Sequence, residues 1–131
     1  MITDPVGDLI IRLTNAGAVK KQTVSVPFSN FKFAIAEKLK DMGLVKQVEK
    51  KGKKVKKTID ITLKYEESGK ALIKGVKRVS KPGRRLYTPA QKITSVKHGF
   101  GLMILSTPKG ILTGDEAKKE NVGGETMFAI W

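Results

Sequence analysis

Hydrophobic and polar positions alternate between helical and strand periods through the first half of the chain. Asp4 can cap a helix with Pro5 at its first position. Val6, Leu9, Ile10 and Leu13 then share one face, and Asn15 and Gly17 act as stop signals. Thr23 to Phe28 places Val24, Val26 and Phe28 on one side, which predicts a strand. Ser29 caps a second predicted helix, and Phe28 can staple to Phe33 across that cap. Phe31, Ile35, Leu39 and Met42 recur at helical spacing until Gly43 ends the run. Leu44 to Val48 and Thr58 to Tyr65 read as strands; in the second, Ile59, Ile61, Leu63 and Tyr65 alternate with polar neighbours.

Glu66-Glu67-Ser68-Gly69-Lys70 marks a boundary, after which the pattern turns β-rich. Ala71 to Ser80 reads as a strand, Lys81-Pro82-Gly83-Arg84 as a turn, Arg85-Leu86-Tyr87 as its continuation, and Thr88-Pro89 as the opening of a short helical turn. The apolar strand Leu102 to Leu105 runs into a turn at Ser106-Thr107-Pro108-Lys109-Gly110. A short helix follows, with Thr113 as its cap and Glu116 answering three residues later. Gly123-Gly124 permits a further turn before a last strand, Glu125 to Trp131. The expected fold class is α+β with two small subdomains: residues 1–67 form an N-terminal α-β-α-β-β unit, and residues 68–131 a C-terminal β-rich unit with short helices.

Charge changes the picture most. The 26 Lys and Arg against 12 Asp and Glu leave a formal net charge of +14, which points to a polyanion as partner, with nucleic acid ahead of an anionic membrane surface. Residues 46 to 57 carry seven lysines and one glutamate, so this one hairpin holds six of the excess charges. It is either a solvated turn or a non-specific phosphate contact. The segment from Leu102 onward is different, because three lysines face four acids and its net charge is −1. Binding there must use hydroxyls, backbone amides and close approach at glycine, which is how irregular RNA is recognised. No basic recognition helix for duplex DNA is present. Arg84, Arg85 and Tyr87 form a second candidate cluster, with guanidinium forks for phosphate and a ring for stacking or hydrogen bonding. Phe28, Phe31 and Phe33 could stack on bases, but their spacing favours core packing.

Catalysis finds little support. His98 is the single histidine and has no carboxylate nearby in sequence, so Ser106 and Thr107 lack a base. Gly99-Phe100-Gly101 is no dinucleotide fingerprint, since Ile104 stands where its third glycine belongs, and no Walker-type loop exists. With no cysteine, thiolate metal sites and disulfides are excluded; no metal and no cofactor are expected. Met1 to Pro5 reads as neither a signal nor a transit peptide, and no run approaches the ~20 apolar residues of a membrane span, so a cytoplasmic protein is expected.

Ser106-Thr107-Pro108-Lys109-Gly110-Ile111-Leu112-Thr113, with Glu116-Ala117 and Asn121-Val122-Gly123-Gly124-Glu125, resembles the signature of bacterial small-subunit ribosomal protein number eight. Ser80 to Tyr87 is similar to that family's central motif, and Thr3-Asp4-Pro5-Val6-Gly7-Asp8 with Arg12 and Asn15 to its opening. The resemblance implies a monomer outside the ribosome that binds the central domain of 16S ribosomal RNA beside neighbouring small-subunit proteins. In some members it implies repression through their own operon's messenger RNA. It implies RNA contacts at Ser106, Thr107, Lys109, Gly110, Gly123, Gly124, Glu125 and Tyr87, and others at Thr3, Asp4, Pro5, Arg12 and Asn15. Three positions depart from the family pattern: Pro108 replaces a frequent serine, Gly114 a common acid, and Phe128-Ala129 a more usual Cys-Tyr pair.

Overall fold

A computed structural model describes residues 5–52, 56–81, 83–93 and 101–131. Thr3, Asp4 with its expected cap, Lys53 to Val55 of the lysine hairpin, Pro82 of the Lys81–Arg84 turn, and His98 with Gly99 and Phe100 lie outside the described residues. The chain divides into two compact units that meet in sequence between Lys74 and Gly75. The order of elements is mixed α and β throughout, with all described strand pairs antiparallel, which is the α+β class expected from the pattern.

In the first unit, helix α1 (Pro5–Ala18) buries Val6, Leu9, Ile10, Leu13 and Ala16, the stripe that a 3.6-residue period dictates. It passes through Asn15 and Gly17, where a stop was expected. Gly17 serves packing instead, since a Cβ there would meet the Ala71 Cβ at 3.0 Å. The helix ends at Lys20, which takes a left-handed φ of 58°. Lys20 N–H donates to Gly17 O (3.2 Å) and Lys21 N–H to Ala16 O (2.9 Å), the paired bonds of a Schellman ending.

Helix α2 (Asn30–Asp41) starts where Ser29 Oγ accepts the Lys32 N–H at 3.1 Å, and the Phe28 and Phe33 rings meet at 5.8 Å across that cap. Its buried face is Lys32, Ile35, Ala36 and Leu39, so Phe31 and Met42, expected on the apolar side, are exposed. Ile35 and Leu39 of the expected stripe are buried, and Lys32 and Ala36 complete the face in place of Phe31 and Met42. Gly43 ends α2 with the same pair of bonds as α1, at φ 79°.

Strands β1 (Thr23–Pro27), β2 (Val45–Lys51) and β3 (Thr58–Leu63) form a sheet in the order β1-β3-β2. Central β3 alternates buried Ile59, Ile61 and Leu63 with Thr58, Asp60 and Thr62. β2 reaches Lys51, past its expected end at Val48, because the backbone of residues 49–51 still pairs with residues 58–60. β3 stops two residues short of Tyr65, which instead bridges to Ala71 and donates its hydroxyl to Lys21 O. The Glu66–Lys70 turn closes under that bridge through Glu66 N–H to Lys70 O at 2.8 Å.

In the second unit only Val76–Arg78 of the expected Ala71-to-Ser80 strand is extended pairing; this is β4. Residues 71 and 72 bond back to 64 and 65, and only from Val76 does the chain reach its partner Ile130. β5 (Tyr87–Thr88) precedes a 3-10 turn at Ala90–Lys92. β6 (Leu102–Thr107) turns into β7 (Gly110–Thr113), a strand the pattern did not suggest. Helix α3 (Gly114–Lys119) and β8 (Gly124–Ile130) complete the unit. The sheet runs β4-β8-β6-β7, with β5 also on β8. Since β6 occupies one edge of β8, β4 and β5 follow each other along the other.

The capping box is formed in full: Thr113 N–H donates to Glu116 Oε1 (2.9 Å), and Glu116 N–H to Thr113 Oγ1 (3.3 Å). Gly114 opens α3 because a Cβ would crowd Ile93 at 3.0 Å. α3 covers a cluster of Ile93, Leu105 and Ala117 with Met103, Leu112 and Val122, and ends at Asn121 (φ 53°) in a third Schellman ending. Phe128 is fully buried, and the half-buried Trp131 covers Gly75, where a Cβ would lie 2.7 Å from the indole.

Candidate nucleic-acid interface

The pairing register gathers the C-terminal candidates into one row. Tyr87 stands opposite Glu125, Glu125 opposite Ser106, and Ser106 opposite Ile111. Directly paired residues in antiparallel strands share a face, so these four side chains line up across β5, β8, β6 and β7. Leu105 and Leu112, one residue away, belong to the cluster under α3. The row therefore lies on the opposite face of the sheet. Tyr87 is 71% exposed; Ser106 and Glu125 are half-buried.

Thr107, Lys109 and Gly110 occupy the tight β6–β7 hairpin. Thr107 Oγ1 donates to Gly110 O (2.8 Å) and accepts the Lys109 N–H (3.1 Å). The hydroxyl proton that sequence reasoning reserved for RNA is thus engaged within the turn. Pro108 suits the first corner of such a turn because its φ is already set, and Gly110 supplies the φ of 110° that the exit requires. Lys109 Nζ reaches Glu120 Oε2 at 3.1 Å, an exposed pair worth little in stability.

Gly123 and Gly124 are needed for space and not for an unusual φ, since neither has a positive one. A Cβ on Gly123 would meet Thr88 O at 2.5 Å, and one on Gly124 would meet Ser106 O at 2.3 Å. They let β8 begin pressed between the chain at Thr88 and the end of β6.

Glu125 holds this ground together. Ser80 Oγ donates to Glu125 Oε2 at 2.6 Å, and the Arg85 guanidinium donates to the same oxygen at 2.9 Å. Ser80 is fully buried, and its oxygen also accepts the Leu86 N–H at 3.2 Å. Burial works to raise the Glu125 pKa, but the Ser80 hydroxyl and the Arg85 and Arg78 charges outweigh it and hold the carboxyl below its ordinary range. Arg84 is exposed, beside a backbone bridge with Lys81.

Of the N-terminal candidates, Pro5, Arg12 and Asn15 belong to the first unit. Pro5 opens α1; Arg12 pairs with Asp8 at 3.0 Å, one helical turn away. Arg12 and Asn15 line an open cleft of about 360 Å³ with Lys21, Thr23 and Ser25. On β2, Lys50 Nζ lies 4.6 Å above the Phe28 ring, so that ring is covered by a cation within its own fold. Among the described residues no group of His, Asp and Glu could hold a metal ion, and no helix is long and apolar enough to cross a membrane.

Comparison with known proteins decides the family. A family model described as Ribosomal protein S8 matches residues 4–131. The chain belongs to the ribosomal protein S8 family. It is 45% identical to small ribosomal subunit protein uS8 of Mycoplasma mobile, with 100% of this chain and 98% of that protein covered. It is 48% identical to the uS8 of Mycoplasmopsis pulmonis over the same shares, and 41% identical to that of Halothermothrix orenii, covering 99% and 98%.

The S8 family is one of ribosomal proteins and not of enzymes, in keeping with a face built from a ring, hydroxyls and neutralised charges. Two features of this S8-family chain escaped the sequence reading. The Ser80–Glu125–Arg85 network joins residues 45 and 40 positions apart, and no local pattern signals it. The Thr88 and Thr126 hydroxyls, 2.7 Å apart, pin β5 to β8 from the other face of the sheet.

Proposed function

We propose that this chain is a structural component of the small ribosomal subunit that binds the central domain of 16S ribosomal RNA as a primary binder and helps to assemble the subunit platform. The observation that carries this reading is the row of Tyr87, Glu125 and Ser106 beside the Thr107–Gly110 hairpin, a face almost free of net charge on a chain of +14. Such a face suits an irregular RNA helix with turned-out bases, where stacking and hydrogen bonds select, while lysines elsewhere attract phosphate. The relatives' name, small ribosomal subunit protein, supports the same assembly here. The RNA-binding unit is the C-terminal β-rich one, with further contacts at Thr3 to Pro5, where α1 starts, and at Arg12 and Asn15 farther along that helix. The protein works in the cytoplasm, as a monomer when off the ribosome, beside other small-subunit proteins. Its own operon's messenger RNA is a second candidate ligand, since some members of the family repress translation through it.

Filter binding tests this. Across a salt series the full-length protein should hold 16S central-domain RNA at least 100-fold more tightly than duplex DNA of equal length. Equal affinity would overturn the reading in favour of a general nucleic-acid binder.

A further inference from the structure

We propose that Glu125 and Ser80 do not contact the RNA but form an internal latch that presents Tyr87 to it. This rests on the RNA-binding reading above. The geometry comes from three elements. Ser80 lies just before the Lys81–Arg84 bridge, Arg85 and Leu86 lead into β5, and Glu125 is the second residue of β8. One carboxylate oxygen, Glu125 Oε2, receives both the Ser80 hydroxyl at 2.6 Å and the Arg85 guanidinium at 2.9 Å. The Ser80 oxygen in turn accepts the Leu86 N–H at 3.2 Å, and Leu86 O accepts the Thr126 N–H at 2.9 Å. Both ends of the 80–86 loop are thus tied to the start of β8, and Tyr87, the next residue, emerges 71% exposed opposite Glu125 itself.

A buried serine cannot reach a ligand on the surface, and Ser80 has no exposure at all. Its hydroxyl donates to Glu125 and accepts from Leu86, so it has no proton left to give. The carboxylate raises a second point. An unpaired anion in the middle of an RNA-facing row would repel phosphate, and the Arg85 charge at 2.9 Å cancels that field. Glu125 therefore sits in the recognition row without acting as a recognition group. It ties Ser80, Arg85 and Leu86 to the start of β8, so that the Tyr87 ring need not be ordered when RNA binds. Arg85 has a mixed role: one guanidinium nitrogen belongs to the latch, while a side chain 51% exposed leaves its remaining N–H groups for a phosphate.

A double-mutant cycle with full-length protein decides between mount and contact. Glu125→Gln and Ser80→Ala should each weaken binding to 16S central-domain RNA about tenfold while leaving affinity for a plain RNA duplex of equal length within twofold. In a Tyr87→Ala background either substitution should then cost less than twofold more, because the mount has nothing left to present. Losses that multiply in full would make Glu125 a direct contact and overturn the latch. Amide hydrogen exchange without RNA is the independent arm. Leu86 N–H should exchange at least tenfold faster in both Glu125→Gln and Ser80→Ala, and Glu125→Asp should restore part of its protection. Unchanged Leu86 exchange overturns the latch whatever the RNA does. A wild-type protein that fails to prefer the 16S fragment overturns the RNA reading, while the exchange arm still judges the latch.

Discussion

On the proposed reading, two β-hairpins of this chain would meet a polyanion in opposite ways. Between β2 and β3, residues 46–57 concentrate six net positive charges, and the described lysines 46, 50, 51, 56 and 57 are exposed. Between β6 and β7, Thr107 to Gly110 contains one lysine, already paired with Glu120, and a hydroxyl that bonds its own turn. As a phosphate contact the first hairpin would act at a distance and tolerate any phosphate, because an ammonium on a flexible stem is a point charge without fixed direction. The second acts only on contact and depends on shape. Its backbone is held by Thr107, by the glycine φ at 110 and by the close approach of β8 at Gly124. The proposed reading therefore puts affinity and choice in different places, so that each could be damaged separately.

The hardest blow to the shaped hairpin is a single methyl group. In Gly124→Ala the new Cβ would lie 2.3 Å from Ser106 O, a backbone atom that cannot step aside, so β8 must part from β6. Overpacking of this kind costs about 1–3 kcal/mol. We expect a loss of stability in that range by urea unfolding, and a fall of about 100-fold or more in affinity for 16S central-domain RNA. Duplex RNA, held by charge, should be bound nearly as before. A variant that unfolds normally and keeps its preference would remove Gly124 from the recognition site.

The charged hairpin should respond with the opposite signature. Changing Lys50, Lys56 and Lys57 together to Gln should flatten the plot of log affinity against log salt by about 2, since each phosphate contact contributes about 0.7–0.9 to that slope. Affinity near 0.15 M salt should fall by about tenfold for specific and plain RNA alike. Lys51 is left in place because it already lies between Glu49 (3.5 Å) and Asp60 (3.6 Å). A changed ratio between the two RNAs would show that this hairpin also selects, and the contrast would collapse.

What could be read in advance follows the range of the interactions. The stripe of α1, the alternation of β3, the Thr113 capping box and the Gly43 ending each depend on residues within one or two turns, and each is written in the chain. The failures are also physical. Lys20 ends α1 in a conformation that sequence assigns to glycine or asparagine. The four residues of β7 are too short for a period to show, and exist because the Thr107–Gly110 turn folds them onto β6. In the candidate site, motif resemblance picked out Tyr87, Ser106, Thr107, Gly124 and Glu125, and direct pairing lines up three of them, Tyr87, Glu125 and Ser106, across one sheet. Their division of labour depends on Ser80 and Arg85, far along the chain, and on a hydroxyl whose direction only the folded turn reveals.

That hydroxyl allows the gentlest probe of the contrast. Thr107→Val keeps the shape and the β-branch but removes the oxygen, so Gly110 O loses a donor and Lys109 N–H an acceptor. Both groups are exposed and water can replace the lost partner, so the change in stability should be near the lower end for hydrogen bonds, about 0.5–1 kcal/mol. The effect on recognition should be of similar size, because the turn loses its set geometry where contact is made: a drop of about five-fold for 16S central-domain RNA, with no change in salt slope. Thr107→Ser retains the oxygen and should behave as wild type. If Val and Ser bound alike, the hydroxyl would be irrelevant to the turn's shape. If Val lost affinity without faster amide exchange at Lys109, the oxygen would be touching RNA directly, and the hairpin would be a set of contacts instead of a preformed shape.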